Sequence, residues 1–285
     1  MAERAGGLTR DELICAYFTL GGLTGTADLE TRASAVSAAG FSSMGLLADC
    51  YRAELEAGRT DADIRAILDH YGMRVTEIEF LMGWSSVDPG FDWRAQEAQL
   101  LHLAEVVGAD HLNCGDVGMT GPMLALDDVA ERFAGICARA ADVGLNVAIE
   151  FLPWSEIPDV ATAWEIARRA GAANGGLLVD AWHYFRGPSD AEQLAAVPPE
   201  HIIVVQLDDA GPPQGDLAED TSTRRRLPGQ GELDLVGLLR QLDAMGADAP
   251  ISVEILSDEF SKLAPDEAAR QAYAAATAVV GQSRS

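Results

Sequence analysis

Four short stretches decide the fold: NVAIEFL at 146–152, GLLVDAWH at 176–183, IIVVQLDD at 202–209 and ISVEIL at 251–256. Each is a mostly apolar run with a polar residue near its end. Runs with little alternation suit strands covered on both faces, as a parallel sheet requires. Four earlier runs have the same character, at 13–20, 41–48, 74–82 and 111–116. Ala-rich amphipathic patterns predict helices near 28–39, 60–70, 92–107, 126–143, 158–170, 189–196, 234–245 and 265–279. Strand and helix therefore alternate eight times, which predicts a single (β/α)8 TIM barrel over residues 1–285. Residues 1–10 and 280–285 are expected to fray. An open doubly wound sheet is the competing fold, but no G-x-G-x-x-G follows the first strand, where Gly21, Gly22 and Gly25 are only a weak echo. The longest irregular stretch, about 209–233, follows the seventh strand, and a loop of that length is usually functional or mobile.

Composition narrows the function. Hydrophobic residues make up 48% and charged residues 23% of the chain, values of an ordinary globular protein that exclude global disorder. Twenty basic against 45 acidic residues give a net charge of −25. Such a surface repels phosphate backbones and anionic lipid, so neither nucleic acid nor a membrane is the expected partner. No apolar run approaches the roughly 18–20 residues that span a bilayer. The first residues lack the apolar core of a signal peptide, and the four cysteines form no C-x-x-C pair. Both observations point to reduced thiols and a cytoplasmic location.

In a barrel of this kind chemistry sits at the C-terminal ends of the strands. The last four strands place Glu150, Asp180, Gln206 and Glu254 there. Carboxylates gathered in one barrel mouth repel each other, and unpaired burial is costly. A shared divalent cation resolves the conflict, and an all-oxygen donor set suits Mg2+ or Mn2+ ahead of Co2+ or Zn2+. Of the five histidines only His183 follows a strand end, which makes it the candidate to hold a substrate oxygen or a proton. Glu77 and Glu79 share one face of the third strand by period two, so Glu79 either pairs inside the barrel or contacts substrate. Trp84, Trp154 and Trp182 follow the third, fifth and sixth strands as candidate pocket walls. In the long loop, Arg224–Arg225–Arg226 is either a solvated charge run or an anion-binding fork, with Arg225 and Arg226 as substrate contacts.

These pieces together, IEFLPW, DAWH, QLDD, RLPGQGELD and VEI, resemble the xylose isomerase-like TIM-barrel superfamily, including its sugar phosphate isomerase/epimerase group. The resemblance is strongest over 145–257. It implies one divalent metal held by Glu150, Asp180 and Glu254, with Gln206 where many members carry histidine. That glutamine, Trp154 four residues after Glu150, and the arginines before PGQG are similar to bacterial 3-dehydroshikimate dehydratases. The resemblance implies an isomerase or epimerase of a sugar or sugar-like polyhydroxy ketone, acting by proton abstraction next to a metal-bound carbonyl. Glu150 and Glu254 would flank the substrate and His183 would assist. A dehydratase of the 3-dehydroshikimate or inosose type is the alternative lyase outcome, and a non-catalytic ligand-binding barrel the third. A small polyhydroxylated carbonyl substrate is the expected partner, and homo-oligomers, common in the family, stay open.

Overall fold

The computed structural model describes residues 12–118 and 121–285. Eight parallel strands close on themselves in sequence order: β1 (Leu13–Cys15), β2 (Ser43–Leu47), β3 (Arg74–Leu81), β4 (His111–Gly115), β5 (Asn146–Glu150), β6 (Gly175–Asp180), β7 (Ile202–Leu207) and β8 (Ile251–Val253). β1 pairs with both β2 and β8, and the register Leu13↔Ile251 seals the ring. The TIM barrel read from the sequence is the fold. Around it lie α1 (Leu29–Ala39), α2 (Ala48–Glu56), α3 (Asp61–His70), α4 (Trp93–Val107), α5 (Leu126–Asp142), α6 (Val160–Ala170), α7 (Ala181–Arg186), α8 (Ala191–Ala195), α9 (Leu217–Thr223), α10 (Leu235–Met245) and α11 (Pro265–Ser283). Among the described residues no helix is long and apolar enough to cross a membrane.

Many helix starts rest on aspartate. The side chains of Asp28, Asp92, Asp159, Asp216 and Asp234 each accept a hydrogen bond from a backbone N–H in the first turn. Such caps satisfy donors that have no partner within the helix, and their charge complements the helix dipole. Thr60 and Asp63 form a reciprocal capping box at the start of α3.

The main core lies between barrel and helices, while Ile14, Ala148, Leu178 and Val204 form a small apolar cluster inside the ring. The barrel interior also holds polar residues. Glu77, fully buried, accepts from Ser252 Oγ at 3.2 Å and meets His111 Nε2 at 3.4 Å. Gly45 makes room for this carboxylate, because a Cβ there would stand 2.7 Å from Glu77 Oε1.

Three expectations are corrected. β1 stops at Cys15 rather than reaching residue 20, and the chain enters 3-10 turns at Tyr17–Thr19 and Gly22–Thr24. Side chains take the backbone groups there: Arg32 donates to Tyr17 O (2.8 Å) and Thr19 Oγ1 to Val253 O (2.7 Å). The stretch 209–233 is not irregular throughout but contains α9. Residues 280–285 do not fray as a unit: α11 runs to Ser283, Val280 and Ser283 are buried, and Arg240 donates to Ser283 O at 3.1 Å. The expectation for residues 1–10 lies outside the described residues.

Candidate active site

The strand ends converge on a cavity of about 420 Å³ at the C-terminal mouth of the barrel. Its polar lining includes Glu79, Asn113, Glu150, His183, Gln206, Arg225 and Glu254, beneath apolar walls from Phe18, Leu47, Phe80, Leu152, Trp154 and Leu256. A small ligand site has this composition: apolar walls with a few converging polar groups.

Asp180 ends β6 and at once caps α7, its Oδ1 accepting from His183 N at 2.9 Å. The cap fixes His183 beside Glu150, where Nε2 and Glu150 Oε1 lie 3.2 Å apart. The same Nε2 is 3.2 Å from Arg225 Nη2, so either tautomer serves only one of the two neighbours. His183 Nδ1 is buried without a hydrogen-bond partner.

Arg225 is the charge at the centre of the site. It is 2% exposed, and its Nη1 donates to Asp180 Oδ2 (2.6 Å), to Asp208 Oδ2 and to Glu254 Oε2 (3.1 Å). Its Nε donates to Thr221 O and Oγ1 on α9. Burial works against the guanidinium charge, but Asp180, Asp208 and Glu254 outweigh it and raise its pKa. One arginine cannot serve every acid equally. Burial pulls Asp180 up, yet Arg225 and His183 hold it below the usual range. Burial, reinforced by Asp180, lifts Asp208 well above it despite Arg225. Burial likewise lifts Glu254, with Arg225 opposing and Glu150 and Asp180 adding to the rise.

The neighbouring β3 pair is split in the same way. Burial would raise Glu77, but the hydrogen bond from His111 prevails and keeps it low. Burial and the Glu77 charge lift Glu79 well above the carboxylate range, which favours its neutral form. Of the two readings left open for Glu79, no arginine partner is found among the described residues; its carboxyl borders the cavity and its Oε1 has no hydrogen-bond partner there.

Glu150, Asp180 and His183 offer ligand atoms all within 4.8 Å of one another, an arrangement that can hold a metal ion. The surroundings fit a divalent cation. The buried acids outnumber the one guanidinium, and Gln206 Oε1 and Asp208 Oδ1 are buried without partners. Of the ligands expected from the sequence, Glu150 and Asp180 come together, Gln206 borders the cavity, and Glu254 meets Arg225. His183 joins the metal-capable group, a role the sequence did not assign it. Asp208 was missed as a site residue, although its i, i+2 spacing from Gln206 on a strand end was a usable signal.

The wall residues divide. Trp154 lines the cavity, its Nε1 donating to Val117 O at 3.2 Å. Trp182 is not a lining residue: it is fully buried behind Trp154 and His183, with ring centroids at 6.2 and 5.4 Å. Trp84 packs against Phe133 in the outer core instead of walling the pocket. Arg226 is likewise corrected. Its backbone pairs with Asp209 while its exposed guanidinium lies by Gly211 and Gln230, away from the cavity. Two isolated bridges account for the split: Arg224 pairs with Ser257 and Arg226 with Asp209, and Arg225, between them, turns inward. Asp209 fixes this loop, its carboxylate accepting from the N–H groups of Ala210 (2.8 Å), Gly229 (3.0 Å) and Leu233 (3.1 Å). A Cβ at Gly231 would come 2.1 Å from that carboxylate, which accounts for glycine in PGQG.

An eight-stranded barrel with acids and an imidazole at its C-terminal mouth places polar groups where barrels of this kind carry their sites. The chain belongs to the xylose isomerase-like TIM barrel family, whose pattern matches residues 33–278. It is 34% identical over 171 residues to a 3-dehydroshikimate dehydratase of Pseudomonas aeruginosa, covering 58% of this chain and 26% of that one. It is 30% identical over 163 residues to an inosose isomerase of Bacillus velezensis, covering 55% and 57%. The chain thus matches about a quarter and just over half of these curated relatives. Among solved structures, the IOLI protein with a bound zinc atom superposes with a TM-score of 0.84 at 19% identity, covering 95% and 98% of the two chains.

Proposed function

We propose that the protein is a divalent-metal-dependent isomerase or epimerase of a small polyhydroxy ketone, moving a proton at the carbon next to the carbonyl. The observation that carries this reading is the pairing of Glu150 and Glu254 on one cavity with His183 between acid neighbours. Glu150, Asp180 and His183, with Gln206 and Glu254 beside them, would hold the metal, and a zinc atom in the structurally similar IOLI protein supports a metal here. When bound, the cation would polarise the carbonyl and steady negative charge on its oxygen. Glu254, which lines the cavity with Oε2 3.1 Å from Arg225 Nη1, is placed to take the proton and to return it. Glu150, whose Oε1 lies 3.2 Å from His183 Nε2, faces the same space and is the group to reprotonate from another side. Trp154 and Leu152 exclude water from the reacting carbon. The reading includes a cytoplasmic location, in keeping with four buried, unpaired cysteines.

A second reading, dehydration of a 3-dehydroshikimate-like keto acid, is favoured by one observation. Arg225 is the one arginine or lysine among the described lining residues, and a substrate carboxylate would seek it. Both reactions begin with the same proton abstraction. In the dehydratase the β-hydroxyl then leaves, protonated by His183.

Incubation of manganese-loaded protein in D2O with an inosose and with 3-dehydroshikimate separates the two. Deuterium entering the inosose next to its carbonyl supports the isomerase. An aromatic product from dehydroshikimate supports the lyase. Neither, in a protein that binds Mn2+, leaves the binding-only barrel. Glu254→Gln should abolish whichever reaction is found.

A further inference from the structure

Asn113 lies inside the barrel on β4, 1% exposed, and borders the cavity. Neither its Oδ1 nor its Nδ2 has a hydrogen-bond partner. The amide lies close enough to Glu77 to help keep that carboxylate ionised, yet no hydrogen bond of ordinary geometry joins them. A buried amide left unpaired costs stability, and most such groups in folded proteins find partners. Glu79, on the adjacent strand β3, presents a second unpartnered oxygen to the same cavity. The next inward position on β4 is Gly115, and the space its Cβ would take is filled by Phe80 and Leu152, which form the cavity wall. In the closed order of strands, β3 and β4 stand across the barrel from β7 and β8. The two orphaned groups therefore face a ligand from the side opposite Gln206 and Glu254.

We propose that Asn113 is a specificity-determining residue that binds a hydroxyl group of the substrate, with Glu79 holding a neighbouring hydroxyl. A hydroxyl both donates and accepts, so it satisfies Oδ1 or Nδ2 alike, and a vicinal pair of hydroxyls satisfies Asn113 and Glu79 together. A methylene at that place leaves the amide unpaired, and sites built this way discriminate strongly against such analogues. The inference rests on the polyhydroxy-ketone reading and names the part of the substrate that this wall recognises.

The test uses Asn113→Leu, nearly isosteric, and Asn113→Ala, which adds no bulk beside Phe80. Without ligand, Asn113→Leu should melt no lower than wild type, because an unpaired amide has been replaced by an apolar group. Titration calorimetry with scyllo-inosose on the Mn2+-loaded protein should show Kd at least about tenfold weaker in both variants, the loss of roughly one good hydrogen bond. Kd for Mn2+ itself should not change. A lower melting temperature for both variants would make the amide structural and overturn the proposal, as would an unchanged affinity for scyllo-inosose. If wild type binds neither scyllo-inosose nor 3-dehydroshikimate, the functional reading falls, while the melting comparison still decides whether the amide is held unpaired at a cost.

Discussion

Replacing Arg225 with methionine keeps most of the side-chain volume and removes the guanidinium shared by Asp180, Asp208 and Glu254. All four side chains are at most 6% exposed, so water cannot take over the lost contacts. Removing one partner of a buried ion pair costs roughly 3–5 kcal/mol. At about 2 °C per kcal/mol for a chain of this size, the metal-free melting temperature should fall by roughly 6–10 °C. Adding Mn2+ at about one hundred times its Kd should return roughly 2.7 kcal/mol through binding to the folded state alone. Differential scanning calorimetry with EDTA and with Mn2+ measures both effects. Identical melting of wild type and variant in EDTA would refute the view that Arg225 neutralises the acidic cluster.

Further outcomes follow from other parts of the molecule. Gly45→Ala should lose about 1–3 kcal/mol in denaturant titrations, because the new methyl meets the Glu77 carboxylate inside a packed barrel. Asp209→Ala frees the backbone N–H groups of Ala210, Gly229 and Leu233, and native-state proteolysis of 224–233 should accelerate at least tenfold if those bonds hold the loop. Asp28 caps α1, and its pKa is lowered first by the Thr31 side chain and then by the Thr31 backbone. Its contribution is therefore complete above the ordinary carboxylate pKa and lost as pH falls through the lowered one. The stability gap between wild type and Asp28→Ala should be about 1 kcal/mol at pH 7 and close under acid, as followed by urea titration across pH.

Much of this architecture was legible in the chain because parallel barrel strands are buried on both faces. A polar residue at the end of such a run stands out: Glu150, Gln206 and Glu254 line the cavity, and Asp180 lies buried behind it against Arg225 and His183. The short helices α2, α7 and α9 escaped notice because they have too few turns to show a period; their starts are set by local groups such as the Asp180 and Asp216 caps. Which arginine of three turns inward depends on bridges to Asp209 and Ser257, contacts distant in sequence. Trp182 misled for a related reason: it follows a strand end, but α7 begins at once and rotates it behind the wall. Asn113 carried a fainter signal, a lone amide between His111 and Gly115 on an interior face, without any charge to mark it.

The aspartates that begin so many helices have an effect beyond those helices. In a barrel of alternating strand and helix, every helix that follows a strand starts at the mouth, so Asp28, Asp92, Asp159, Asp216 and Asp234 form an anionic collar around the entrance. Such a collar enriches divalent cations near the opening and deters doubly charged sugar phosphates, over the 8 Å or so that salt allows at physiological strength. Uncharged polyols cross it freely. For the proposed ketose substrates, raising the ionic strength should therefore narrow any difference between neutral and phosphorylated ones.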